Sequence, residues 1–598
     1  MTRPVAGRPR DPRAPGPPGA ADPPGGPYLA EQADPGTAVK DPPPPDGAAE
    51  AAAVEGEASL ARSTLIMTIG TGLSRVTGVL RVTALAATLG ITESKVADTY
   101  NLANTTPNVI YELVLGGILS SIFVPVFVQA RKQEGREAAW HLARLVMTLT
   151  IVVLGALSLA SILGASWIMR LYTLGVDDPA LRAEQQRIGT LLLVMFLPQI
   201  VFYGVGAVMT GLLNANRRFG VPMFAPVLNN LTVIAVGVAY YLLVGGQAKQ
   251  LDQLTFGDEL LLGLGTTAGV VAMTMVQWPF LRRLGFRYRP AWDLRHPGLR
   301  RMAGLSVFTI GYVIVNQLAY LVVPILSNKV QGGNAAYAYA FMFFQLPHGL
   351  FAVSVMTALL PPMSEQALAR DWGSFRVSLS QGIRLTAFVL VPATVGYLVL
   401  ARPVVRLLLA HGNVGDASID LVVRVVVLFV LGLVSFSVFQ LVLRAFYALQ
   451  DTRVPFTVNL VAAIVRVAVD VVLFFSLPGP WKVAGIAAGH GISYTVGSLL
   501  LLDRLRRRIG GLGAARILAA TARIGLASLA MGVAAGAAAA AAGTLAGPGL
   551  ARDLAMVTAG VVAGLLAYLL AARMLGVREL DAVRTMVRRR IGRTTAVS

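Results

Sequence analysis

Apolar runs long enough to cross a bilayer recur about fourteen times along this chain, and no other feature constrains its fold as tightly. The runs are 64–90, 97–129, 142–168, 187–213, 221–245, 259–281, 302–326, 336–363, 380–400, 419–445, 454–476, 483–503, 517–543 and 552–574. Lipid offers no partner for backbone N–H and C=O groups, so such runs must satisfy them internally, as helices. The least typical stretch is 530–545, an Ala/Gly run poor in leucine. Composition agrees: 14% of the 598 residues are charged, against about 25% in a soluble domain. The expected fold is an all-α polytopic membrane protein with about 14 transmembrane helices.

Several function classes fall away at once. There is no cysteine, hence no disulfide framework, thiolate metal site or cysteine nucleophile. The formal charge of +20 would suit a nucleic-acid binder, but the arginines sit in short loops between apolar runs, where membrane topology puts them. Phosphate-binding glycine loops, His-Glu-x-x-His and nucleophile elbows are missing, and no cofactor is expected. Loops after even-numbered runs carry the basic clusters, among them Arg131, Lys132 and Arg136; Arg217 and Arg218; and Arg282 to Arg301. Both termini are therefore expected in the cytoplasm. Residues 1–58, rich in Pro, Ala and Gly, are expected to be a disordered tail, with no apolar segment of a signal peptide.

An internal repeat divides the chain. Leu213-Asn-Ala-Asn-Arg-Arg-Phe-Gly-Val-Pro222 parallels Phe446-Tyr-Ala-Leu-Gln-Asp-Thr-Arg-Val-Pro455, and Pro107…Pro125 parallels Pro347…Pro361. Segments 1–6 and 7–12 thus read as two pseudo-symmetric six-helix lobes, with two extra C-terminal helices. The boundaries expected are an N-lobe over 59–283, a basic connector over 284–300 and a C-lobe over 301–508. Helices 13–14 occupy 509–576, before a basic cytoplasmic tail over 577–598. Repeats of this kind place a substrate path at their interface.

Charges inside the spans point to the chemistry. Arg75 and Arg81 lie near the middle of the first run, where a charge is costly and usually faces a cavity or a partner. They are ~120° apart on an ideal helix, so a bend at Gly78 would bring them to one face. The ~9 Å of rise between them lets the pair grip different parts of one extended anion. Arginine's planar fork suits a diphosphate. The bland alternative is neutralisation by Asp98 or Glu112. Segment 2 is unusually polar, with Asp98, Asn101, Asn104, Asn108, Tyr111 and Glu112 around a kinking Pro107. Segment 11 carries Arg466 and Asp470 one turn apart; a self-neutralised structural pair and an ion-coupling site both fit. Asn316, Gln317, Gln345, His348 and His490 each read at most as cavity lining, a lone histidine being more often a satisfied interior residue. Pro347 marks a further hinge.

Ser74-Arg-Val-Thr-Gly-Val-Leu-Arg81, Asp98, Pro107-Asn108, Phe123-Val-Pro125, Leu346-Pro347 and Leu359-Leu-Pro-Pro362 resemble the MurJ (MviN) family of lipid II flippases over about residues 60–575. The resemblance implies the two-lobe fold of the multidrug/oligosaccharidyl-lipid/polysaccharide exporter superfamily, without enzymatic activity. It implies alternating access around a cationic cavity, with Arg75 and Arg81 holding a diphosphate, Asp98 as a cavity acid and helices 13–14 as a groove for a polyprenyl tail. The location implied is the bacterial plasma membrane. The partners implied are membrane lipids, a lipid-linked glycan and cell-wall synthesis proteins reached through the cytoplasmic tails. Some members bind sodium near a segment-11 acid, which would be Asp470 here; Na+ and H+ both stay open as coupling ions, and Arg466 could stand in for either. The chain departs from the pattern at Tyr111-Glu112 and Met342, where well-known members carry basic residues. Those departures allow one rival, a flippase for another lipid-linked glycan; a cation-coupled drug exporter and a non-transporting wall-synthesis scaffold also stay open.

Overall fold

The computed structural model describes residues 46–115 and 123–581. It divides into Met1–Ala61, described only over the helical stretch 46–61, and Arg62–Ser598, which holds everything below. The N-lobe helices are α1 (Asp46–Leu89), α2 (Val96–Leu115), α3 (Val124–Gln133), α4 (Arg136–Leu163), α5 (Ala165–Tyr172), α6 (Pro179–Phe196), α7 (Gln199–Ala215), α8 (Gly220–Leu243), α9 (Phe256–Met275) and α10 (Trp278–Arg283). The C-lobe helices are α11 (Pro297–Ser327), α12 (Gly333–Pro347), α13 (Val353–Leu368), α14 (Trp372–Leu409), α15 (Asp416–Leu431), α16 (Leu433–Ala448), α17 (Arg453–Ser476) and α18 (Lys482–Ile509). Then come α19 (Ala514–Leu545) and α20 (Leu550–Met574), which pack on each other and on α14.

Eleven described helices are long and apolar enough to span a membrane, twelve when the pair α15–α16, bent by 44° at Gly432, counts as one. These match the third to fourteenth sequence runs; the first two runs correspond to α1 and to α2 with α3, on either side of residues 116–122, which lie outside the description. The leucine-poor run is a full span within α19. Its alanines and glycines let α20 approach closely: a Cβ on Gly560 would lie 3.2 Å from the Ala535 carbonyl oxygen, the small-residue packing that lipid favours.

One expectation is corrected. Of the tail read as disordered, residues 1–45 lie outside the description, but 46–58 form the first turns of α1. This stretch is mostly Ala and Glu, which lose little on entering a helix. The last basic cluster, Arg584 to Arg590, also lies outside the described residues, as does most of both tails through which partners were expected to bind.

The repeat is visible in the backbone. At the end of α7 the Arg218 N–H donates to the Leu213 carbonyl (2.9 Å); at the end of α16 the Asp451 N–H donates to the Phe446 carbonyl (3.0 Å). Arg217 (φ 58°) and Gln450 (φ 55°), at matching positions, are left-handed, as a helix C-terminus closed this way requires. A left-handed L-residue costs about 1–2 kcal/mol, and a β-branched one is the worst case. Gln450→Val should therefore lower the melting temperature, whereas Gln450→Gly should not; thermal unfolding of the purified protein checks both.

The even-numbered turns share one end of the molecule. Arg131 Nη1 reaches Asn216 Oδ1 (2.7 Å), Arg136 Nη2 reaches the Leu284 carbonyl (2.6 Å) and Arg376 Nη1 reaches the Gly510 carbonyl (3.3 Å). We call this end the basic face.

Candidate functional site

α1 crosses between the lobes, and its composition is what makes it a cavity wall. Leu73, Val76 and Leu80 are exposed, as lipid-facing side chains would be. Thr71, Ser74, Arg75, Gly78, Val79 and Val82 line a cavity of about 510 Å³, closed by Pro222, Met223 and Pro226 of α8 and by Met342, Gln345 and Leu346 of α12. Gly70 sets the spacing between α1 and α8, since a Cβ there would stand 2.8 Å from Met223 Cβ.

Arg75 is exposed in this cavity. Its guanidinium lies over Gly349, where an added Cβ would be 2.8 Å from Nη2. Gly349 belongs to a π-helical turn, His348–Ala352, inserted directly after Pro347. Such turns are frequent at functional sites, and this one brings C-lobe backbone up to an N-lobe arginine. Arg81 is not among the residues lining this cavity; it is half-buried, in electrostatic contact with Tyr100, Tyr203 and Tyr339. Tyr100 in turn shares a 2.7 Å hydrogen bond with Thr266. Among the described residues neither Arg75 nor Arg81 has an ion-pair partner. Two cations without a counter-ion, set along one helix, are suited to receiving an anion.

The expected bend at Gly78 is not the means of bringing them together: α1 is continuous through it, and the position has room for a Cβ, with Asn230 Nδ2 at 3.7 Å. α2 likewise continues through Pro107. Of the three expected hinges only Pro347 coincides with a change of helix type.

Asp98 is corrected from cavity acid to interlobe cap. It is fully buried, and its carboxylate is used up: Oδ2 accepts from Lys95 Nζ (2.8 Å) and Gly332 N (2.9 Å), and Oδ1 from Ala335 N (2.9 Å). These N–H groups open α12, where the helix dipole favours an anion. Lys95 does the converse at the end of α11, donating to the carbonyls of Asn328 (2.7 Å) and Val330 (3.1 Å). One ion pair on the N-lobe thus caps two C-lobe helices, each with the sign its dipole calls for. Glu93 adds a third cap, accepting from Gly415 N (2.9 Å) at the start of α15, and Asn413 Nδ2 donates to the Thr88 carbonyl (3.0 Å) at the end of α1. This seam closes the face opposite the basic one.

The remaining α2 residues follow Asp98 along the helix and are not among the residues lining the Arg75 cavity. Asn104 is half-buried and Asn108 exposed. Tyr111 packs on Tyr203 with ring centroids 5.9 Å apart. Glu112 Oε2 accepts from Gln317 Nε2 of α11 at 2.5 Å, a second link between the lobes.

The segment-11 pair is a separate, sealed cluster. Arg466 Nε is 3.6 Å from Asp470 Oδ2, and Arg466 Nη2 donates to the Tyr337 hydroxyl at 3.1 Å. Among the described residues neither Asp470 oxygen has a hydrogen-bond partner, nor has either nitrogen of His490, whose ring packs among Phe341, Phe344, Phe429, Phe436 and Tyr494. His348 Nδ1, by contrast, lies 2.8 Å from Ser437 Oγ. No group of three or more Asp, Glu or His residues is placed to hold a metal ion among the described residues. Asp470→Asn leaves the Arg466 charge uncompensated and should cost about 3–5 kcal/mol of stability, whereas replacing both members by apolar residues should recover most of it. Thermal unfolding of Asp470→Asn and of Arg466→Met/Asp470→Leu checks this. A stable double variant that no longer transports would make the pair an ion-coupling site.

Comparison with known proteins adds the following. A family model described as "Lipid II flippase MurJ" matches residues 85–550. A lipid II flippase MurJ of Burkholderia cenocepacia is 29% identical over 455 residues, covering 75% of this chain and 84% of that protein. A probable lipid II flippase MurJ of Haemophilus influenzae is 28% identical over 451 residues, covering 73% and 84%. Among solved structures, "Lipid II flippase MurJ, inward closed conformation" shares the fold with a TM-score of 0.66 at 20% identity, over 86% of this chain and 99% of that one. An inward-facing multidrug resistance MATE family transporter of the MOP superfamily shares it with a TM-score of 0.60 at 13% identity, over 76% and 98%.

Proposed function

Because the chain belongs to the lipid II flippase MurJ family, we propose that it carries lipid II from the inner to the outer leaflet of the bacterial plasma membrane by alternating access of its two lobes. The observation that supports this reading best is Arg75, an arginine with no counter-ion among the described residues in a cavity walled by both lobes. The diphosphate enters between α1 and α12 and is held by Arg75, with Arg81 reached further along the same wall. In this reading the basic face and both termini lie in the cytoplasm, which the distribution of arginine supports.

Closure around the diphosphate pulls the π-turn at Gly349 toward α1, and release on the far side requires the caps made by Lys95, Asp98, Glu93 and Asn413 to open. The polyprenyl tail stays in lipid along α19 and α20, where Leu529, Val533, Leu565 and Leu566 are exposed. Arg466 acts as the resident cation beside Asp470, taking the place of a coupling ion. No step is covalent.

The test is complementation. A bacterial strain depleted of its own lipid II flippase should grow when it expresses this chain. Lysis despite membrane-inserted protein would overturn the reading, and rescue that persists without both cavity arginines would favour a scaffold.

A further inference from the structure

A second basic pocket lies away from the interlobe cavity, where α14, α19 and α20 meet at the basic face. A cavity of about 510 Å³ is lined by Arg376, Arg384, Arg516 and Arg578 together with the Gly510–Gly513 turn. A neighbouring one of about 180 Å³ shares Arg384, Arg516 and Arg578 and adds Arg523 and Glu579. Five arginines therefore converge on one recess with a single carboxylate, and that carboxylate is already spent: Glu579 Oε1 pairs with Arg384 Nη1 at 2.9 Å. Among the described residues Arg376 and Arg523 donate only to backbone carbonyls, at Trp372 and Gly510 and at Gly576 respectively. Arg516 and Arg578 are exposed and have no side-chain partner among the described residues.

Like charges gathered at one spot repel one another, and an anion seated among them relieves that repulsion. The turn before α19 adds to the same field. Its N-cap, Gly513, left-handed at φ 66° and without a side-chain cap, lines the recess and places the positive end of the α19 dipole beside it. Just beyond the arginines the surface becomes apolar. Val377 and Leu518, 61% and 68% exposed, flank the recess on α14 and α19, and Leu526 and Met574 follow along α19 and α20. A charged recess opening directly onto a lipid-facing apolar wall matches a molecule with a phosphate head and acyl chains. Basic pockets between transmembrane helices at the cytoplasmic face bind anionic head groups in this way.

We propose that this recess is a binding site for the phosphate head of an anionic lipid in the inner leaflet, separate from the transport cavity. Arg516, Arg523 and Arg578 grip the phosphate, Arg384 is positioned by Glu579, and the acyl chains lie along α19. The occupant joins α14 of the C-lobe to the last two helices, so its presence stiffens the junction on which those helices move. The proposal does not depend on what the central cavity transports.

The experiment uses the purified full-length protein in nanodiscs of phosphatidylcholine, titrated with phosphatidylglycerol, and reads bound lipid by native mass spectrometry and unfolding by thermal shift. Near-surface arginines contribute about 1 kcal/mol each, a factor of about five in affinity. Arg516→Gln, Arg523→Gln and Arg578→Gln should each weaken phosphatidylglycerol binding about fivefold, and the triple variant about a hundredfold. The triple variant should keep the wild-type melting temperature in pure phosphatidylcholine while losing the upward shift that phosphatidylglycerol gives. Should it fail to fold, the single variants Arg516→Gln and Arg578→Gln, at exposed positions without partners, decide the matter alone. A second arm replaces phosphatidylglycerol with undecaprenyl diphosphate: binding lost in the same variants would keep the site and make the substrate lipid its occupant. Equal phosphatidylglycerol binding by wild type and triple variant would overturn the proposal. So would saturation by inorganic phosphate, or by a soluble phosphopeptide, with no lipid bound.

Discussion

Arg75→Ala should abolish rescue of a flippase-depleted strain while leaving the protein folded. The side chain is exposed in the cavity and has no ion-pair partner among the described residues, so its removal should shift stability by no more than about 0.5 kcal/mol. Its loss to the ligand is far larger. A charge-assisted bond to a phosphate is worth about 1.5–3 kcal/mol, which is roughly a 10–150-fold loss of affinity. Arg81→Ala should be as damaging to transport and also lower the melting temperature, because Arg81 is half-buried among tyrosines. Lysine keeps the charge but not the planar fork, so Arg75→Lys should fall between wild type and Arg75→Ala. Growth of the complemented strain, with membrane protein level and melting temperature measured alongside, separates lost binding from lost folding. Equal growth with Arg75→Ala and Arg81→Ala would remove both residues from the site.

Asp98→Ala is the second large effect, and it has a different signature. The substitution strands the buried Lys95 ammonium and orphans the N–H groups of Gly332 and Ala335. Removing one member of a buried, hydrogen-bonded pair costs about 3–5 kcal/mol. Here that cost falls on the state closed at the face opposite the basic one, so the variant should open there. The chain has no cysteine, which makes the readout clean. A single cysteine at Ser327 or Asn334, both buried beside the cap, should be shielded from a membrane-impermeant thiol reagent in the parent and labelled in Asp98→Ala. Asp98→Asn, which keeps the shape but not the charge, should open it less. Unchanged labelling in Asp98→Ala would mean that the caps do not hold that face closed.

Much of this was legible in the sequence. The apolar runs fix the number of spans because backbone in lipid has so few options, and the repeat around Arg217 and Gln450 survives as matching left-handed turns. Arg75 and Arg81 stood out because charge inside an apolar run is expensive. The cap was not legible. Asp98 stood out only as a polar residue of segment 2 and Lys95 not at all, and only the fold brings the ends of α11 and α12 onto them. A lysine in a loop after an odd-numbered span, where basic residues are scarce, was the signal available. The inserted turn at Gly349 depends on packing and leaves no trace beyond Pro347. The recess draws its arginines from α14, α19 and the turn after α20, and each group looks like routine topology signalling on its own.

The most direct test of the central claim is reconstitution. Purified protein in liposomes containing fluorescent lipid II should move the head group across the bilayer, read as its accessibility to an added impermeant quencher, and Arg75→Ala and Arg81→Ala should reduce the rate at least tenfold. No translocation by the folded wild-type chain, or an undiminished rate in both variants, would contradict it.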